Sequence, residues 1–130
     1  SSEEYLRNAM CHLNSRDNNC GYIIGSSQDQ AIIETIKLFG PYDAILIDGD
    51  HTYEGVSKDF ENFKDLAKII CFHDIVGYNE KETVHGNAVE VPRFWSELKA
   101  GYEGSDYDFF EFIDVRSTMG IGVMVKTRGA

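Results

Sequence analysis

Asp48, Asp50 and His51 stand within four positions directly behind the apolar run Ala44 to Ile47, and His73-Asp74 stands directly behind a second run, Ile69 to Phe72. Carboxylate oxygens and imidazole nitrogens gathered from neighbouring strand ends can ligate a divalent cation. Mg²⁺ takes mainly carboxylates and water, whereas a histidine among the ligands moves the preference towards Mn²⁺, Fe²⁺ or Zn²⁺. The residue types alone leave the metal open. His51 has a second use, because an imidazole can take a proton from a substrate hydroxyl near neutral pH, more readily where a metal lowers that hydroxyl's pKa. Asp50 is placed to cap the helix that starts near Tyr53. A further polar cluster, Gly25-Ser26-Ser27-Gln28-Asp29, precedes a helical pattern and reads on its chemistry as a helix cap beside free backbone N–H groups.

Such residues act together only if the chain folds their strand ends to one edge. Ala44 to Ile47 is continuously apolar, the pattern of a strand buried on both faces, and Ile69 to Phe72 is a second such run. Between them Val56, Phe60, Phe63 and Ala67 mark the core stripe of a helix. Tyr22-Ile23-Ile24 reads as a short strand ended by Gly25, and Ala31, Ile32, Ile36 and Phe39 as a helix face closed by Gly40-Pro41. Residues 3 to 13 carry a first amphipathic helix, with Tyr5, Leu6, Ala9, Met10 and Leu13 at helical spacing. Residues 75 to 90 lack periodicity and form a long candidate functional loop. Pro92 suits the first turn of a helix bearing Val91, Phe94, Trp95 and Leu98. Phe109 to Val115 and Ile121 to Val125 close the chain as an antiparallel pair, where Gly120 and Gly122 mark close packing rather than a phosphate loop. Strands alternating with helices predict an α/β fold with a mostly parallel sheet flanked by helices on both faces, and ligands then bind beyond the carboxyl ends of the strands.

At 130 residues the chain suits one domain over 1–130, and 42% hydrophobic composition with only two prolines fits a folded protein. A net charge of −10 lacks the basic surface that phosphate backbones or anionic lipids require, so neither nucleic acid nor membrane is an expected partner. No apolar stretch is long enough to span a bilayer, and Ser1-Ser2-Glu3-Glu4 is acidic where a signal peptide is basic. Cys11, Cys20 and Cys71 are odd in number and show no C-x-x-C spacing, which fits a reducing cytoplasm.

The block from Tyr42 to Val56, containing Ile47-Asp48-Gly49-Asp50-His51-Thr52-Tyr53-Glu54-Gly55-Val56, together with Ile69 to Asp74, Pro92-Arg93-Phe94-Trp95 and Gly120-Ile121-Gly122-Val123, resembles class I S-adenosylmethionine-dependent methyltransferases of the small-molecule O-methyltransferase type. The likeness covers the C-terminal two thirds of that Rossmann-like fold, without its glycine-rich N-terminal motif. It implies a truncated class I methyltransferase fold, drawn from a strand order of 3-2-1-4-5-7-6. It also implies S-adenosylmethionine as cofactor, held by Gly25, Ser27, Gln28, Asp29 and Asp48. A divalent metal, Mg²⁺ or another, would sit at Asp48, His73 and Asp74, with His51 as general base towards a small-molecule hydroxyl. The strand at 22–24, left without its family neighbour, is expected to close against Ala44 to Ile47 or to pair with a second copy as a homo-oligomer. The alternative function is a non-catalytic module of the same fold that works through oligomerisation or partner binding. A metallophosphoesterase-like hydrolase, suggested by Gly49-Asp50-His51 and His85-Gly86-Asn87, lacks the D-x-H and G-H-x-H segments such enzymes carry.

Overall fold

The computed structural model describes Glu4 and residues 21–76, 83–84, 87–114 and 120–127. The expected first helix beyond Glu4 lies outside that set, as do Cys11, His12, Cys20 and His85. In chain order the described elements are α1 (Gln30–Phe39), β1 (Tyr42–Ile47), α2 (Tyr53–Phe63) with a 3₁₀ turn over Lys64–Leu66, β2 (Ala67–His73), the short β3 (Thr83–Val84) and β4 (Asn87–Ala88), α3 (Val91–Tyr102), β5 (Tyr107–Phe112) and β6 (Ile121–Lys126).

Four strands form one open mixed sheet in the order β1-β2-β6-β5, which makes the fold α/β. β1 and β2 run parallel, as the intervening α2 crossover requires. β6 runs antiparallel to both β2 and β5. The closing antiparallel pair is therefore found, but the sheet is mixed rather than mostly parallel. Residues 21–24 form no strand, leaving Tyr22, Ile23 and Ile24 exposed, so the parallel part of the sheet is not extended beyond β1 among the described residues. A strand is stable only through a partner's ladder, and this short apolar run has none among the described residues. β6 lies between β2 and β5, as the order 3-2-1-4-5-7-6 implies.

The core lies on one face of the sheet. Ile47, Ile70, Phe72 and Met124 point from the strands into Val56 and Phe60 of α2 and Phe94, Trp95 and Leu98 of α3, with Phe72 and Met124 wholly buried. Ala67, expected on the helix, instead opens β2. The register puts Leu46, Cys71, Val123 and Phe110 in one row across the opposite face, where Leu46 is 60% and Phe110 49% exposed. Among the described residues β1 is thus an edge strand with one covered face, not a strand buried on both. α1 stands beside β1, tied by the Tyr42 hydroxyl donating to the Ile36 carbonyl. Only Ile33 of α1 is buried, and Phe39, expected in the core, is 72% exposed. The stretch 75–90 contains the β3–β4 hairpin, and Ile75 and Val89 anchor its two ends in the core.

Gly122 is required where it stands: a Cβ there would lie 2.6 Å from the Trp95 ring. The ring fills that space and its Nε1 donates to Glu111 at 2.8 Å. These contacts fix the β2–β6 pairing, and with it the end of β2 that carries His73 and Asp74.

Candidate functional site

β1 and β2 are parallel, so their carboxyl ends meet at one edge and bring Asp48 beside His73-Asp74. Asp48 Oδ1 lies 3.2 Å from His73 Nδ1 and 3.3 Å from His51 Nε2. Asp74 Oδ2 lies 3.3 Å from each of the same two nitrogens. Two carboxylates and two imidazoles therefore face one another, and Asp48, His73 and Asp74 each offer a ligand atom within 4.8 Å of the others.

Local structure holds each of them. Asp74 follows the last residue of β2 with φ at 65°, in the left-handed region, and its N–H donates to the Gly120 carbonyl at 2.9 Å. Its carboxyl is drawn inside the protein, with Oδ1 buried and without a hydrogen-bond partner. Asp48 is the most exposed of the four, at the mouth. His51 is fixed from two directions. Asp50 Oδ1 accepts from Thr52 N at 2.9 Å, turning the loop, and the His51 carbonyl accepts from Glu90 N at 2.7 Å. Asp50 was expected to cap the helix; Thr52 does so, its Oγ1 accepting from Gly55 N at 3.1 Å.

A groove of about 490 Å³ opens beside the cluster between α1, α2 and the outer edge of β1. Ile36, Tyr42, Ile45, Ile47 and Phe63 line its apolar length, and Ser27, Asp48, Gly49 and Asp59 its polar end at the carboxyl terminus of β1. Ser27 Oγ donates to Asp59 Oδ1 at 2.7 Å. Burial pushes the Asp59 carboxyl above its ordinary value, against the opposing effect of the Ser27 hydrogen bond.

Of the residues expected to hold a cofactor, Ser27 and Asp48 line this groove, whereas Gly25, Gln28 and Asp29 do not. Asp29 is the N-cap of α1, its Oδ1 accepting from Ala31 N at 2.9 Å, as the bare chemistry of that stretch suggested. Gln28 is exposed, with its N–H on Ser26 Oγ. Two residues of the site went unnoticed in the sequence. Asp59 lies within the apolar stripe of α2, next to Phe60 and three positions after Val56, and a carboxylate among buried positions was the available signal. Glu90 closes the loop across the fold, accepting from Tyr53 N at 2.5 Å through Oε2, and no local pattern marks a pairing 37 residues apart.

No family model matches the chain, and no curated protein matches it significantly. Among the described residues no helix is long and apolar enough to cross a membrane.

Proposed function

We propose that the chain transfers a methyl group from S-adenosylmethionine to a small-molecule hydroxyl with the help of a divalent cation. The observation that carries the reading is the convergence of Asp48, His51, His73 and Asp74 at the carboxyl ends of two parallel strands, beside an apolar groove. Two further features support it. The order β1-β2-β6-β5, with β6 reversed, corresponds to the 4-5-7-6 half of the methyltransferase strand order. The groove joins the cluster at Asp48, so that a cofactor and an acceptor bound in the two places would meet there.

Asp48, His73 and Asp74 would hold the cation, and the buried, unpartnered Oδ1 of Asp74 fits a carboxyl that faces a positive charge. When bound, the cation would lower the pKa of the acceptor hydroxyl and the cofactor would offer an electrophilic methyl carbon on a sulfonium. His51 would take the hydroxyl proton, its backbone held in place by the Glu90 N–H on its carbonyl. Transfer would form the oxygen–methyl bond as the carbon–sulfur bond breaks, with S-adenosylhomocysteine as the leaving group. Positioning of the two reactants by Asp48 and by the groove lined from Ser27 to Phe63 contributes most of the remaining acceleration. An odd cysteine count without C-x-x-C spacing supports a reducing compartment, and the net charge of −10 supports a small-molecule rather than a nucleic-acid or membrane partner.

Amide chemical shifts test this directly. On addition of S-adenosylhomocysteine, Ser27, Asp48 and Gly49 should move first. Unchanged spectra at millimolar ligand, with and without a divalent cation, would sink the proposal.

A further inference from the structure

We propose that Asp48 Oδ1, Asp74 Oδ2 and His73 Nδ1 form a one-histidine, two-carboxylate face that selects a borderline first-row cation, Mn²⁺, Fe²⁺, Co²⁺ or Zn²⁺, over Mg²⁺. This rests on the metal part of the function proposed above and is independent of the methyl donor.

The contacts are long for hydrogen bonds and suit a coordination sphere. His73 Nδ1 is 3.2 Å from one carboxylate oxygen and 3.3 Å from the other. A single N–H can point at only one of them, and charge-assisted N–H···O contacts close to about 2.7–2.9 Å. Ligand atoms bonded to one cation at about 2.1 Å stand roughly 3.0–3.4 Å apart, from octahedral to tetrahedral geometry. Both nitrogen–oxygen separations fall inside that range, and the two carboxylate oxygens lie within 4.8 Å of each other. His51 Nε2 lies 3.3 Å from the same two oxygens, so both carboxylates turn towards one shared centre.

Asp74 supplies the second, independent sign. It is only 4% exposed, and its Oδ1 is buried without a partner. A buried carboxylate left so is costly, and the chain further holds it in a left-handed backbone conformation clamped by the Gly120 carbonyl. A cation held at Oδ2 would neutralise the carboxylate and offset that cost.

The donor set then chooses the ion. Mg²⁺ demands oxygen ligands in near-ideal octahedral geometry and parts with water reluctantly, so an imidazole in its inner sphere gains little. Mn²⁺, Fe²⁺, Co²⁺ and Zn²⁺ accept imidazole readily beside carboxylates. Three protein ligands leave positions open for a substrate oxygen.

The test is a titration of the chelator-treated full chain with Co²⁺, followed by its visible absorption, without cofactor or acceptor. One Co²⁺ per chain should bind, and roughly 100-fold excess Mg²⁺ should fail to displace it. His73→Asp should weaken Co²⁺ by about tenfold or more while keeping or raising the affinity for Mg²⁺, and Asp48→Asn should weaken both ions. Far-UV circular dichroism confirms that each variant is folded. Displacement of Co²⁺ by equimolar Mg²⁺, or Co²⁺ affinity unchanged in both variants, overturns the proposal. Co²⁺ binding with no response to S-adenosylhomocysteine would remove the methyl-transfer reading and leave this one standing.

Discussion

Replacing Gly55 with alanine discriminates sharply, because local and tertiary effects predict opposite signs. Gly55 lies in the first turn of α2, where alanine is favoured over glycine by up to about 1 kcal/mol. If nothing else touched the position, Gly55→Ala would stabilise the protein. In the structure, however, a Cβ at 55 would fall 2.2 Å from Asp50 Cγ and 2.4 Å from Asp50 Cβ. Those atoms belong to the root of the side chain and cannot swing away without moving the loop. Displacing Asp50 forfeits its 2.9 Å hydrogen bond to Thr52 N, a loss of about 1 kcal/mol, and forced overpacking adds about 1–3 kcal/mol. The net expectation is destabilisation by about 1–3 kcal/mol, read as a lower urea midpoint at unchanged slope. The companion variant Asp50→Gly removes the obstructing atoms. In that background Gly55→Ala should turn neutral or stabilising, a coupling of about 2 kcal/mol or more. A stabilising Gly55→Ala in the wild-type chain would refute the packing of the 48–55 loop on which the site rests.

Two further outcomes bear on the fold around the site. Gly122→Ala places a Cβ 2.6 Å from the Trp95 ring, so it should cost about 1–3 kcal/mol in urea unfolding and alter the emission of the single tryptophan; normal stability would contradict the β6–α3 contact. Asp59→Asn reports on the buried carboxyl. Because burial raises the folded-state pKa above the ordinary 3.8, the stabilising contribution of Asp59 is complete below that pH and is lost as pH rises through the folded value. The asparagine variant cannot ionise, so its stability should gain on the wild type as pH is raised from 3.8, and a gain on acidification instead would be inconsistent with a buried carboxyl.

The parts of the fold legible in the sequence are those written in periodicity. The stripe of Val56, Phe60 and Phe63 and the sequence Val91, Phe94, Trp95 and Leu98 give α2 and α3 their buried faces directly. The apolar runs before Asp48 and His73 give the two strand ends, and the α2 crossover makes those strands parallel, so the meeting of Asp48, His51, His73 and Asp74 was readable in advance. The absence of a strand at 22–24 was not. Tyr22-Ile23-Ile24 has strand composition, but composition does not supply a partner, whereas the place of β6 beside β2 follows from the order the resemblance implies. Leu46 and Phe39 look like core residues and are exposed, because exposure depends on which elements cover a face. Glu90 and Asp59 escaped for related reasons: one works across 37 residues of chain, and the other sits in a stripe whose apolar members draw the eye.

The central claim is that the groove beside Asp48 holds a methyl donor next to a metal-organised acceptor site. Calorimetric titration of the full chain with S-adenosylhomocysteine, in the presence of saturating Mn²⁺, tests it most directly. One binding event per chain, lost in a Ser27→Tyr variant that fills the polar end of the groove, is the predicted result. No heat up to millimolar ligand, or heat unaffected by blocking the groove, would contradict it.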